Sequence, residues 1–341
     1  MRIRFFSLTL SVALATMTTA CGGGGGTGTE TSASIIKIDG SSTVYPITEA
    51  VAEEFQKENR NVHVTVGISG TGGGFQKFCA GETDISDASR PITKGEIGTC
   101  AKNGINFVEL PVAYDGLAVV VNPKNTWVNH FTVVELKKIW SPESQGKVTK
   151  WSDAESGWPQ RELHLFGPGT ASGTYDYFTE AINGKQGASR GDYTASEDDN
   201  VLVQGVSTDE GGLGYFGYAY YEQNRAKLNL IPVDDGKDDN GKGPIVPSPE
   251  TVRNGTYQPL SRPLFLYIST KALDRPEIKA FVDYYLNEGP ALIDQVGFIQ
   301  LGDRGYELVR ARFAKRPTGS LFAQGGPQVG LTIEELLAKE Q

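Results

Sequence analysis

Gly67-Ile68-Ser69-Gly70-Thr71-Gly72-Gly73-Gly74-Phe75 joins two kinds of periodicity. Before it, Val62, Val64, Val66 and Ile68 alternate as residues of a strand do. After it, Phe75-Gln76-Lys77-Phe78 reads as the start of a helix. Glycine lets the backbone take angles that other residues resist and approach a ligand closely. The opening N–H groups of a helix lack internal partners and carry partial positive charge. A strand, a Gly/Ser/Thr loop and a helix start are therefore the parts of an anion cradle. One such loop is a weak signal, because most glycine-rich turns are only turns.

The same grammar recurs along the chain. Ile35 to Asp39 reads as the first strand, Gly40-Ser41-Ser42-Thr43-Val44-Tyr45-Pro46 as a hydroxyl-rich loop, and Ile47, Ala50, Val51 and Phe55 as one face of a helix with Pro46 in its first turn. Leu163 to Phe166 is a short strand, Gly167-Pro168-Gly169-Thr170-Ala171-Ser172-Gly173-Thr174 a third loop, and Tyr175, Phe178 and Ile182 a helix face. Between them, Ile85 reads as a buried strand residue, which sets Ser89 and Arg90 at a strand's C-terminal end. In open α/β sheets that end faces the ligand crevice.

The rest of the chain fits an α/β class. Phe107 to Val121 is expected to carry two strands, the second being the apolar run Leu117–Val121. Thr132-Val133-Val134-Glu135 matches a capping box ahead of Leu136, Ile139 and Trp140. Asn200 to Val206 reads as helix, Asp234 to Pro249 as an exposed loop, Pro263 to Ile268 as a buried strand and Leu331 to Ala338 as a short amphipathic helix. The buried strands near Leu117 and Leu264 bracket the middle third, as crossovers between two lobes would. This gives one lobe from 35–120 and 260–341, and a second from 121–259.

Composition limits the function classes. The chain has 341 residues and a formal charge of −9, with no long basic run. Broad nucleic-acid or anionic-membrane binding is thereby disfavoured, but a local set of neutral donors can still hold a small anion. Arg2 and Arg4 precede an apolar segment, too short to span a membrane, that ends in Thr18-Thr19-Ala20-Cys21. Residues 1–21 read as a signal peptide with a lipoprotein-like cysteine, or as a simple secretion signal with Cys21 unmodified. Residues 22–34 read as a flexible tether, which with a lipid would hold a soluble domain at a membrane. In an exported protein the two other cysteines, Cys79 and Cys100, read as a disulfide contributing about 3 kcal/mol. Metal ligation is the poorer reading: there is no CxxC, and His63, His130 and His164 stand in separate segments.

Hydroxyls and backbone N–H groups donate without titrating near neutral pH. Each hydrogen bond to a charged acceptor contributes about 1.5–3 kcal/mol. Taken in order, Gly40–Pro46, Ser69–Phe75, Asp87-Ala88-Ser89-Arg90-Pro91 and Gly169–Thr174 resemble the phosphate-binding protein of bacterial phosphate ABC transporters. The resemblance extends from about Ile35 to about Phe313, and includes Leu136–Trp140 with Lys150-Trp151-Ser152-Asp153, and Gly212–Phe216. It implies a two-lobed periplasmic-binding-protein fold (type II). It also implies a cofactor-free monomer that buries phosphate in the cleft and hands it to membrane permease subunits. By the same resemblance, Ser42 and Thr43 match the first phosphate loop, Ser69, Gly70 and Thr71 the second, and Ser172, Gly173 and Thr174 the third.

This chain departs from the pattern twice. Ser89 stands where many members carry an aspartate that accepts the phosphate proton, and Pro168 where many carry an arginine. Arg90 is the candidate replacement cation and Asp87 the candidate acceptor. Each residue has a plainer reading. Ser42 or Thr43 would cap a helix, Arg90 would pair with a surface carboxylate, and Asp87 would stabilise a turn. Two rival functions remain open in the sequence: a carrier of another oxyanion such as sulfate or molybdate, and a secreted phosphatase. The second lacks a GxSxG elbow, HExxH or P-loop motif.

Overall fold

The computed structural model describes residues 33–170, 172–196, 198–322 and 332–338. The expected leader, Cys21 and the tether up to Ser32 lie outside the described residues, as do Ala171 and Leu331. Strands β1 (Ser34–Gly40) and β2 (Val62–Ile68) form where the alternation predicts them and β3 (Ile85–Ala88) around buried Ile85, in the parallel order β2-β1-β3. Strand β4 (Phe107–Val121) follows, then β5 (Phe131–Thr132), β6 (His164–Pro168), β7 (Thr194–Ser196), β8 (Gly212–Gly217), β9 (Asn229–Leu230), β10 (Val233–Asp234) and β11 (Ser261–Ser269).

The main sheet runs β2-β1-β3-β11-β4-β8-β6-β7, with β9 also on β4. Strand β11 pairs antiparallel with both β3 and β4 at the centre. Strand β4 is common to both halves: Phe107–Gly116 pairs with β11 and Leu117–Val121 with β8. All 15 of its residues are buried. Phe107–Val121 is thus one strand rather than the expected two. Its Pro111, which has no N–H to give, sits at a register shift where Leu264 faces Ala113 and Phe265 faces Pro111, leaving Val112 as the extra residue. A bulge of this kind lets a central strand carry a proline.

Helices cover the sheet. Helix α1 (Tyr45–Glu58) has Pro46 in its first turn and buries Ile47, Thr48, Val51, Ala52 and Phe55. Helix α2 spans Gly70–Ala80, so it starts five residues before the expected Phe75. The glycines sit inside its first turns because the helix lies hard against the sheet: a Cβ on Gly74 would meet the Gly40 Cα at 2.5 Å. Close packing overrides their poor helix propensity. Helix α3 (Lys94–Lys102) and helix α4 (Val133–Trp140) both begin with a capping box, the second on Thr132 and Glu135 as the sequence predicts. Cys79 of α2 and Cys100 of α3 are joined, S–S 1.97 Å, in a small core with Phe75, Phe78, Phe107, Phe265 and Tyr267. Helices α5 (Trp151–Ala154), α6 (Gly173–Asn183) and α7 (Asp199–Thr208) follow. Among the described residues no helix is long and apolar enough to cross a membrane.

Candidate functional site

Three helix starts converge on one cavity of about 280 Å³. Ser41, Ser42 and Thr43 reach it from the turn before α1. Ser69, Gly70 and Thr71 reach it from the start of α2, with Gly72 and Gly73. Gly173, Asp176, Tyr177 and Glu180 line it from α6. Each of these helix starts brings unpaired N–H groups and the positive end of a dipole. Together they favour a small anion.

The loops are tied to one another. The Ser41 N–H donates to the Asp87 carbonyl at 3.0 Å, and the Ser69 N–H to the Gly40 carbonyl at 3.2 Å. The Ser89 N–H donates to Thr71 Oγ1 at 3.1 Å, joining the second loop to the end of β3. Across the cavity, a Cβ on Gly173 would meet Thr43 Oγ1 at 2.2 Å and the Thr43 nitrogen at 2.6 Å. Only glycine allows α6 to begin that close to the first loop.

Most of the sequence-predicted residues meet here. Ser42, Thr43, Ser69, Gly70, Thr71, Ser89, Arg90 and Gly173 all line the cavity. Ser172 and Thr174 are not among its lining residues. Ser172 is the N-cap of α6, its hydroxyl accepting from the Thr174 N–H at 3.1 Å. Asp87, the candidate acceptor, is also off the wall. It lies in β3, 1% exposed, and neither carboxylate oxygen completes a hydrogen bond of good geometry. Burial raises it to about 7, opposed by the nearby Thr48 hydroxyl and assisted by the charge of Asp39. An acid held beneath the loops in this way cannot meet a ligand in the cavity.

Both cations at the cavity are already paired. Arg90 forms a fork with Glu96, 2.9 and 2.8 Å, and lies over the Phe75 ring at 5.6 Å. Burial pushes Glu96 up, but Arg90 and the Thr93 cap hold it below the usual carboxylate range. The second cation, Arg262 at the head of β11, was not singled out from the sequence. Its Nη2 donates to Thr43 Oγ1 at 2.8 Å and to the Gly173 carbonyl at 3.4 Å. It pairs with buried Asp115 at 3.3 Å and sits over the Tyr177 ring at 3.8 Å. Burial raises Asp115 against the pull of Arg262. A signal for it existed: Ser261-Arg262-Pro263 repeats the triplet Ser89-Arg90-Pro91. The loop that carries Ser89 and Arg90 is held from behind, where the Ile92 N–H donates to the Tyr267 hydroxyl at 2.9 Å and that hydroxyl donates to buried Glu109 at 2.6 Å.

Comparison with known proteins agrees with this geometry. A family model described as "PBP superfamily domain" matches residues 25–288. Protein SphX of Synechococcus elongatus is 52% identical over 307 residues, covering 90% of this chain and 89% of that protein. Phosphate-binding protein PstS of Staphylococcus saprophyticus is 42% identical over 274 residues, covering 80% and 82%. The crystal structure of "a possible phosphate binding protein" from Planctomyces limnophilus superposes with a TM-score of 0.78 at 49% identity, covering 83% of this chain and 98% of that one. The chain belongs to the PBP superfamily and, within it, to the family of SphX and PstS, and it has the expected two-lobed α/β fold.

Proposed function

We propose that this member of the superfamily binds inorganic phosphate outside the cytoplasmic membrane and delivers it to an ABC-type permease. The observation that carries the reading is the meeting of three helix starts, two of them bringing Ser and Thr hydroxyls, on one small cavity whose cations, Arg90 and Arg262, each have a carboxylate partner. Such a wall offers many neutral donors, which suits a small oxyanion better than a large acidic partner. The phosphate-binding name of PstS supports the same ligand. The assigned contacts are Ser42, Thr43, Ser69, Gly70, Thr71, Ser89, Arg90, Ser172, Gly173 and Thr174. Ser172 and Thr174 do not line the cavity, and their assignment rests on the resemblance of the third loop.

Further parts of the proposal follow from the sequence. The lobes are 35–120 with 260–341, and 121–259, closing about β4 and β11. Residues 1–21 direct export, Cys21 takes a lipid, 22–34 form the tether, and the Cys79–Cys100 bridge is kept in the oxidising compartment. The protein acts as a monomeric carrier rather than an enzyme, a reading supported by relatives that are named for binding. Native mass spectrometry of protein purified without exchange tests the ligand. A bound mass of phosphate is expected; sulfate or molybdate in its place would redirect the assignment.

A further inference from the structure

Ser69 differs from its neighbours in which half of its hydrogen-bonding capacity is already used. A hydroxyl has one proton and two lone pairs. Thr43 Oγ1 accepts from Arg262 at 2.8 Å, Ser41 Oγ from the Thr43 N–H at 3.2 Å, and Thr71 Oγ1 from the Ser89 N–H at 3.1 Å. For Thr43 and Ser41 a protein donor occupies a lone pair and leaves the proton to be given away; Thr71 Oγ1 and Ser89 Oγ also lie 3.1 Å apart, so one of their two protons lies between them and the other remains to be given. Ser69 is reversed: its hydroxyl donates to Asp39. Asp39 also takes the Lys77 ammonium at 2.5 Å and is 8% exposed. A carboxylate paired with an ammonium has only lone pairs to offer, so Ser69 must supply the proton between them. Ser69 is also the N-cap residue of α2, yet its side chain accepts no helix N–H. Its lone pairs are unclaimed and it lines the cavity.

We infer that Ser69, oriented by Asp39, is the acceptor for a proton carried by the bound oxyanion, and that this pair sets the preference for phosphate over sulfate. The inference rests on the reading of the cavity as a phosphate site. Phosphate near neutral pH keeps at least one O–H, which an oxygen lone pair welcomes. Sulfate has none, so one of its oxygens faces the Ser69 lone pairs without a proton between them. An acceptor that rejects an anion lacking the proton discriminates more strongly than one that merely adds a contact, because the desolvated groups are left unpaired. Asp176 and Glu180 also line the cavity. Asp176 already takes the Gln186 amide at 2.6 Å, and Glu180 is exposed to water.

The test is isothermal titration of ligand-stripped protein with phosphate and with sulfate, wild type beside Asp39→Asn, Ser69→Ala and Asp176→Asn. In Asp39→Asn, Lys77 takes the amide carbonyl and the amide NH₂ faces Ser69. The hydroxyl then turns and donates to the anion. The phosphate-to-sulfate affinity ratio is expected to fall about tenfold or more in Asp39→Asn, with sulfate gaining, and about tenfold in Ser69→Ala. Ser69→Ala leaves the Asp39–Lys77 pair in place, so it carries the test if Asp39→Asn does not fold. A structural role alone would weaken both anions together; an unchanged ratio in both variants overturns the inference. A ratio lost in Asp176→Asn but kept in Asp39→Asn also overturns it. Wild-type protein that binds neither anion, or binds sulfate as well as phosphate, would instead overturn the functional reading beneath it.

Discussion

The Thr43 hydroxyl accepts a hydrogen bond from the Arg262 guanidinium at 2.8 Å, across 219 positions of sequence. The same nitrogen reaches the Gly173 carbonyl at 3.4 Å. One side chain on a central strand therefore touches the turn before α1 and the start of α6. Its charge is balanced by Asp115, whose side chain is 4% exposed. Arg262 is thus placed to hold two walls of the cavity at a fixed separation while leaving the Thr43 proton free for a ligand.

Replacing Arg262 with alanine strands a buried carboxylate. Breaking one side of a buried pair costs about 3–5 kcal/mol. Arg262→Ala is expected to lose about 3 kcal/mol in denaturant unfolding and at least about tenfold in phosphate affinity. Arg262→Ala with Asp115→Ala should recover part of the stability but not the affinity. Equal recovery of both would show that Arg262 serves the fold alone.

Gly173 admits no side chain where it meets Thr43. Gly173→Ala should push α6 away from the first loop, costing about 1–3 kcal/mol as an overpacked contact. The two helix starts would then no longer share one anion, so titration should show affinity falling by about tenfold or more. An alanine variant with wild-type affinity would mean that the close approach is unrelated to binding.

Asp87 predicts a pH dependence of stability. Its folded value is raised to about 7 by burial, against about 3.9 in an unfolded chain. Between those values the folded state binds more protons than the unfolded one, so this group's contribution is fully present below about pH 4 and is lost as pH rises through about 7. At about 1.4 kcal/mol per pH unit, the loss is about 4 kcal/mol. Asp87→Asn should remove this slope, leaving the variant more stable than wild type at pH 8 relative to their difference at pH 4. Parallel stability curves for the two proteins from pH 4 to 8 would refute it.

The strand–loop–helix units were legible in the sequence because alternation, glycine and helical spacing are local signals. So were the capping box at Thr132 and the placement of Ser89 and Arg90 at the end of β3. Other features depend on partners distant in sequence. Pro111 reads as a break in Phe107–Val121, and only the bulge against Leu264 and Phe265 keeps the strand whole. The glycines after Ser69 read as loop, because their helical state comes from packing on Gly40. Arg262 and Asp115 are ordinary charges until β11 and β4 lie side by side. Asp87 looks like a turn residue beside a binding loop, but its carboxylate is buried beneath the cavity. The hydroxyls' identities were readable; the directions in which they donate were not.

The most direct measurement is isothermal titration of phosphate into ligand-stripped protein at neutral pH. Convergent donors from three helix starts predict one site per chain with micromolar or tighter affinity, about −8 kcal/mol or better. A folded protein that shows no binding heat up to millimolar phosphate, by direct titration at two temperatures, would contradict the account.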